Sequence, residues 1–141
     1  MAKKRIVVFS PHPDDAEYGA WGFLHQNRDE EITIVFVSGA VDRLHEATNA
    51  IFELGSKIIG LGEIDGSLKP TPSTDLSFAP NVFVPLTRSD RKERAKALIQ
   101  HETQKHQDYF SESHLEAKDR FWGYRIGVEF AEPFFAYKII L

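Results

Sequence analysis

The segment Ser10-Pro11-His12-Pro13-Asp14-Asp15-Ala16-Glu17 gathers one imidazole and three carboxylates. His12 and Asp15 stand three positions apart across the rigid Pro13, so both can reach one cation. Imidazole with carboxylate is a hard-to-borderline donor set that suits Zn2+ in a catalytic site with a position left for water. Asp14 points elsewhere in such an arrangement. Zinc lowers the pKa of bound water to about 7, and a neighbouring carboxylate then serves as general base. The same residues have a plainer use, with Asp14 or Asp15 capping the helix that follows and His12 a half-buried loop residue. Both uses stay open at this point. Position favours chemistry, because ligands of open parallel sheets bind at the carboxyl ends of the strands.

The strand that must position this cluster is Arg5–Ser10 (RIVVFS), a β-branched run that reads as buried on both faces of a parallel sheet. Pro11 and Pro13 stop it, and the spacing of Ala16, Ala20, Phe23 and Leu24 predicts a helix over 16–26. Gly19 and Gly22 cost that helix about 1 kcal/mol each relative to Ala, which implies that it lies close against something. Glu31–Ser38 reads as a second buried strand, 41–54 as a helix closed by Gly55, and 57–61 as a third strand. This succession predicts an α/β fold with a doubly wound, mostly parallel sheet.

The stretch 62–81, with Pro70, Pro72 and Pro80, has no period of either kind and reads as a loop, the seam of the molecule. Beyond it, 82–86 reads as a short strand whose Pro85 disfavours an interior ladder position. Thr87 with Asp90 resembles a capping box opening a charged helix over 88–103. A further helix is predicted over 112–122, and a strand in the last part of the apolar tail 126–141.

The 141 residues are 42% hydrophobic and 27% charged, enough for one domain over 1–141 with a single core. Seventeen Lys and Arg against 21 Asp and Glu give a formal charge of −4, which argues against a nucleic-acid partner. No apolar stretch approaches the roughly 18 residues of a membrane span, and the apolar run 6–9 is too short for a secretory signal. With no cysteine, disulfides and thiolate metal sites are excluded, so a metal must be held by His, Asp or Glu. These features agree with a cytoplasmic address. The absence of a G-x-G-x-x-G or Walker-type loop after the first strand counts against a nucleotide-binding domain.

The string PHPDDAEYGAWG after RIVVFS resembles the signature of the LmbE/PIG-L superfamily, zinc-dependent N-acetylglucosaminyl deacetylases. Arg43-Leu44-His45-Glu46-Ala47 is similar to the family's R-x-x-E helix. Residues 60–66 are similar to its next strand end and loop, and 120–134 to the C-terminus of its bacillithiol-pathway type. The resemblance implies that His12 and Asp15 are zinc ligands, Asp14 the general base and Arg43 a substrate contact. It implies hydrolysis of the acetamide of an amino sugar or its conjugate, on a Rossmann-like sheet with helices on both faces.

The family also carries a His-x-Asp-His motif whose last histidine is the third zinc ligand. The pattern here runs to Ser67 or Leu68 and resumes near Pro72, so one central strand–helix unit is missing. His106-Gln107-Asp108-Tyr109 imitates the motif with Tyr109 in the ligand's place, in surroundings that resemble a later helix. His25, His45, His101 and His114 read as solvated surface residues. Two ligands fall short of the three of catalytic zinc, so weak or partial occupancy is expected. The alternative function is a shortened, catalytically impaired member acting as a binding or assembly module. Loss of the unit leaves the first strand without a neighbour unless 82–86 moves beside it, and an unpaired edge invites a homo-oligomer.

Overall fold

The β-branched runs at the start of the chain form strands in a computed structural model that describes residues 2–63 and 80–135. Most of the seam read at 62–81, with the missing unit near 66–80, lies outside the described residues; Gly62 and Glu63 are strand rather than loop, and Pro80 and Asn81 are described. Strand β1 is Arg5–Ser10, α1 Asp15–Gln26, β2 Glu31–Ser38, α2 Val41–Ala50 and β3 Lys57–Glu63. After the seam come β4 (Val82–Pro85), α3 (Arg88–Leu98), α4 (Glu112–Ile126) and β5 (Ala131–Phe134). The chain is mixed α/β. Among the described residues no helix is long and apolar enough to cross a membrane.

Strands β1, β2 and β3 form a parallel sheet in that order, with Val8 opposite Ile34 and Ile34 opposite Ile58. Ile6, Val8, Ile32, Ile34, Phe36 and Ile58 share one face and pack against Trp21 and Leu24 of α1 and Ala47 and Ala50 of α2. On the other face β1 is open, with Val7 57% exposed and Phe9 68%, while Val35 of the central strand is buried at 6%. The expectation that β1 is buried on both faces is therefore corrected. Right-handed crossovers between strands that succeed one another in both sequence and space place both helices on the same side. Helices cover one face only among the described residues.

Segment Val82–Pro85 does not move beside β1. It pairs antiparallel with β5, Val82 opposite Phe134, in a separate two-stranded sheet. Strand β5 lies in the middle of the tail, and the last part of the tail, where the sequence predicts a strand, lies outside the described residues from 136 to 141. The second helix stops at Ala50, followed by a 3-10 turn (Phe52–Leu54) before Gly55 at φ 59°. The capping box at Thr87 and Asp90 is present. Asp90 also meets His25 Nδ1 at 2.8 Å and Gln26 Nε2 at 3.0 Å, so His25 is a tie between α1 and α3 rather than a solvated residue.

A band of buried charge seats α1 on the C-terminal half. Glu132, with no exposed surface, accepts the backbone N–H groups of Gly22 at 2.7 Å and Phe23 at 3.0 Å. Arg94 pairs with Asp119 and lies 3.6 Å from Glu132, while Lys118 Nζ donates to the Tyr18 carbonyl at 2.8 Å. Gly22 is what allows the approach: a Cβ there would stand 2.0 Å from Leu86 Cδ2 and 3.1 Å from Glu132 Oε2. At Gly19 a Cβ meets nothing within 4 Å, so only one of the two helix glycines is required by packing.

Gly22→Ala is expected to destabilise by about 1–3 kcal/mol through overpacking, and Gly19→Ala to stabilise by up to about 1 kcal/mol through helix propensity, both read by urea unfolding. Burial lowers the Lys118 ammonium to about 8. Its folded value lies below the unfolded one, so the unfolded chain holds more protons between them and stability rises with pH in that window. Relative to Lys118→Met, the wild-type chain should gain about 1–3 kcal/mol between about pH 7.5 and 10. A flat difference would show that the ammonium is not desolvated.

Candidate functional site

Strand β1 ends where two prolines remove backbone donors, and the chain turns around the buried Ser10 hydroxyl. Ser10 Oγ donates to the His12 carbonyl at 2.6 Å and accepts the Ala16 N–H at 3.1 Å. From the end of β2, Ser38 Oγ donates to the Pro11 carbonyl at 2.8 Å. Gly39 lies against Pro13 at φ 144°, where a Cβ would stand 2.6 Å from Pro13 Cγ. The turn is thus fixed from both strands before any functional side chain is placed.

On this turn His12 and Asp15 face each other. His12 Nδ1 lies 3.0 Å from Asp15 Oδ2, and the His12 backbone N–H donates to the same oxygen at 2.9 Å. Both side chains are partly exposed, 39% and 44%. Tetrahedral ligands at about 2.0–2.1 Å from a zinc ion stand about 3.3 Å from one another, so the two donor atoms are close to a ligand–ligand separation. Asp14 occupies the N-cap position of α1 but makes no cap hydrogen bond. Its Oδ1 instead accepts from Arg43 Nη2 at 2.8 Å, a pair with side chains 7% and 15% exposed. The helix-cap use of Asp14 is corrected by this geometry, in which the carboxylate serves an ion pair to α2.

His12, Asp14, Asp15 and Arg43 border a cavity of about 220 Å3, completed by Gln104 and Tyr109. The structure thus brings all four sequence-predicted site residues to one place. Larger hollows, of about 410 and 350 Å3, open along α3 and α4, but neither is lined by the histidine and paired aspartates. Chemistry, not volume, selects the smaller one. Among the described residues no group of three or more His, Cys, Asp or Glu is placed to hold a metal ion. His12 and Asp15 fit two positions of a coordination sphere.

Sequence reasoning missed the far wall. His101 is not a solvated helix residue: α3 ends at Leu98, and the His101 side chain is wholly buried, Nε2 3.2 Å from Glu17 Oε1. Burial pushes the Glu17 carboxyl above its ordinary value, and the bond from His101 offsets only part of that rise. Glu46 of the R-x-x-E segment accepts the Thr103 N–H at 2.9 Å and its hydroxyl at 2.7 Å. These two ties hold the stretch that carries Gln104 and Tyr109. Tyr109 meets Tyr18 edge-on at 5.5 Å and Phe110 at 4.8 Å. Burial, with Asp14 and Asp15 adding to it, raises its phenol and keeps it a hydrogen-bond donor at neutral pH. The sequence signal was present in the His-x-Asp-Tyr imitation, but it had no partner in sight.

No family model matches the chain, and no curated protein matches it. Two of the solved structures similar to this chain show how far the likeness goes. One is a conserved protein from Thermus thermophilus, with TM-score 0.74 and 19% identity over 96% of this chain and 96% of that one. The other is GalB, the 4-carboxy-2-hydroxymuconate hydratase of Pseudomonas putida, with TM-score 0.68 and 12% identity over 98% of this chain and 99% of that one. At these identities the likeness is one of fold.

Arg43→Met leaves the Asp14 carboxylate buried without its cation. The expected loss is about 2–4 kcal/mol in urea unfolding, at the low side of a wholly buried pair because Arg43 keeps some solvent. Asp14→Asn in the same chain should return part of that loss, and strict additivity of the two changes would refute the pairing.

Proposed function

We propose that this chain belongs to the LmbE/PIG-L superfamily on a shortened Rossmann-like sheet. In this reading it hydrolyses the N-acetyl group of an N-acetylglucosamine-type amino sugar or conjugate with the help of zinc. The observation that supports this reading is the 3.0 Å approach of His12 Nδ1 to Asp15 Oδ2 at the carboxyl end of β1. Those two side chains would hold the ion, which supplies Lewis acidity and acidifies water. Asp14 is the general base and receives the proton on its carboxylate. Arg43 orients Asp14 through their 2.8 Å contact and meets the substrate where it borders the cavity. The ring nitrogen and the two carboxylates stand on a turn that both β1 and β2 hold rigid, so little ordering is left to binding.

The shortfall of ligands favours a second reading. With no third His, Cys, Asp or Glu placed to hold the ion among the described residues, the chain is instead a catalytically impaired member that binds or assembles.

Metal analysis and acetate release separate the two. Purified protein is expected to carry less than one zinc per chain, and His12→Ala to abolish what remains. Asp14→Asn should keep the metal and lower acetate release from N-acetylglucosamine conjugates by about 100-fold or more. Full occupancy untouched by His12→Ala would overturn the ligand assignment. Metal without acetate release in the wild-type chain would select the binding module.

A further inference from the structure

We propose that the stretch His101–Phe110 is the recognition wall of this site, with Tyr109 and Gln104 reading the sugar ring and the Glu17–His101 and Glu46–Thr103 contacts positioning them. The proposal rests on the hydrolase reading above and deepens it, by naming the side chains that choose the substrate.

Three observations carry it. First, Gln104 and Tyr109 are the two members of the 220 Å3 cavity that lie outside the His12 turn and α2. Both stand more than sixty positions beyond Arg43 in the chain, so only the fold brings them opposite the metal pair. Second, neither has a structural task that demands its type. Tyr109 is half-buried, packed by ring contacts with Tyr18 and Phe110, which a phenylalanine would also make. The Gln104 amide donates to Thr103 Oγ1 at a long 3.4 Å. Third, the stretch is fastened at points that are costly to build. The Glu17–His101 contact has no exposed surface on either side chain, and it leaves Glu17 Oε2 and His101 Nδ1 without a hydrogen-bond partner among the described residues. A buried, partly satisfied polar pair is expensive in a core, and here it joins the helix that starts at Asp15 to the segment that bears Tyr109.

The chemistry of the wall differs from that of the opposite side. His12, Asp14, Asp15 and Arg43 are ionisable, while a phenol and a primary amide are neutral groups that both donate and accept. Such pairs suit vicinal hydroxyls, and the aromatic cluster beside them offers an apolar surface to the C–H face of a pyranose. A charged substrate would call for a cation at this position. Lys118, whose ammonium stands 3.8 Å over the Tyr18 ring, is turned to that ring and to the Tyr18 carbonyl instead. The wall therefore selects an uncharged sugar ring, and the far side carries out the reaction.

The test uses the full chain loaded with zinc, with Tyr109→Phe, Tyr109→Ala, Gln104→Ala, His101→Ala and His101→Gln. Ligand-observed NMR measures binding of methyl N-acetylglucosaminide. Acetate release is compared between that sugar and N-acetylethanolamine, an acetamide with no ring. Tyr109→Ala and Gln104→Ala should weaken sugar binding at least tenfold and raise KM for the sugar with kcat nearly unchanged. Zinc content should stay as in the wild type, and the loss on the sugar should exceed the loss on the ringless substrate. Tyr109→Phe should show a smaller loss, which isolates the hydroxyl in a variant that keeps every ring contact. His101→Ala should reproduce the KM effect, and His101→Gln, which keeps a donor toward Glu17, should restore it. Sugar affinity unchanged in Tyr109→Ala and Gln104→Ala overturns the proposal, as does equal loss on both substrates or loss of zinc in Tyr109→Phe. Sugar bound at this wall without acetate release keeps the wall and rejects the hydrolase. Acetate released from N-acetylethanolamine with no sugar bound keeps the hydrolase and rejects the wall.

Discussion

The Glu132 carboxylate, wholly buried in the short strand near the C-terminus, accepts two consecutive backbone N–H groups from the middle of α1. This contact spans 110 positions of sequence and fixes the helix whose first turn carries the candidate site. Burial raises the Glu132 carboxyl above its ordinary value, against the opposing pull of the two N–H donors, Arg94 and Lys118. A carboxylate desolvated to this extent is tolerated only when donors surround it, since an unpaired buried charge costs several kcal/mol. The surroundings are accordingly specific. Gly22 removes the side chain that would collide, Arg94 and Asp119 neutralise each other alongside, and Lys118 takes the Tyr18 carbonyl on the neighbouring turn. A network of this kind contributes little net stability compared with an apolar core, but it permits one seating of α1 and opposes any other.

That seating has consequences at both ends of the helix. At its C-terminal end His25 and Gln26 reach Asp90, whose carboxylate also closes the capping box of α3. Desolvation alone would raise the Asp90 carboxyl, and the hydrogen bonds from His25, Thr87 and Gln26 lower it instead. At its N-terminal end the Ser10 hydroxyl and Ser38 fix the His12 turn from the two adjacent strands. Midway, Glu17 reaches across to His101. The four side chains on the near side of the cavity are thus positioned by contacts that span 29 positions or fewer, and the two on the far side by pairs 57 and 84 positions apart in the chain. Rigid scaffolding on one side with a loop on the other is the usual division between a reaction centre and the surface that reads its substrate.

What could be read from the sequence follows the same division. Strands β1 and β2 were legible to the residue, because a β-branched run bounded by proline or polar residues has few alternatives. The capping box at Thr87 was legible for the same local reason. His12, Asp14, Asp15 and Arg43 could be named because their spacing, and the helix that carries Arg43, are local facts. His101 could not. It sits among Gln, Glu, Thr and Lys, a neighbourhood that reads as solvated, and its burial is decided by Glu17, 84 positions away. The same holds for the open face of β1: Val7 and Phe9 read as core residues, and only the order of the strands shows that both crossovers fall on the other side. Composition and periodicity report what each residue prefers, whereas strand order and long-range ion pairs depend on which elements meet.

Charge at the turn bears on how strongly a cation would be held. Asp14 and Asp15 are successive carboxylates at the end of a strand, and one guanidinium, Arg43, is paired with Asp14. The Asp15 oxygen gathers the His12 N–H and approaches the His12 ring, an arrangement that offers two donors to one ion and little positive charge to compete with it. Zinc sites with three protein ligands bind tightly because each ligand adds a short bond in a preformed geometry, and removal of one leaves solvent or substrate to fill its place. A centre of two such donors would therefore exchange a metal more readily and depend more on the groups around the cavity. The phenol of Tyr109 and the amide of Gln104 bring no charge to that task. Their neutral hydrogen bonds suit a bound molecule rather than a bare ion, and by whatever factor such a molecule changed the affinity for a cation, the cation would change the affinity for that molecule equally.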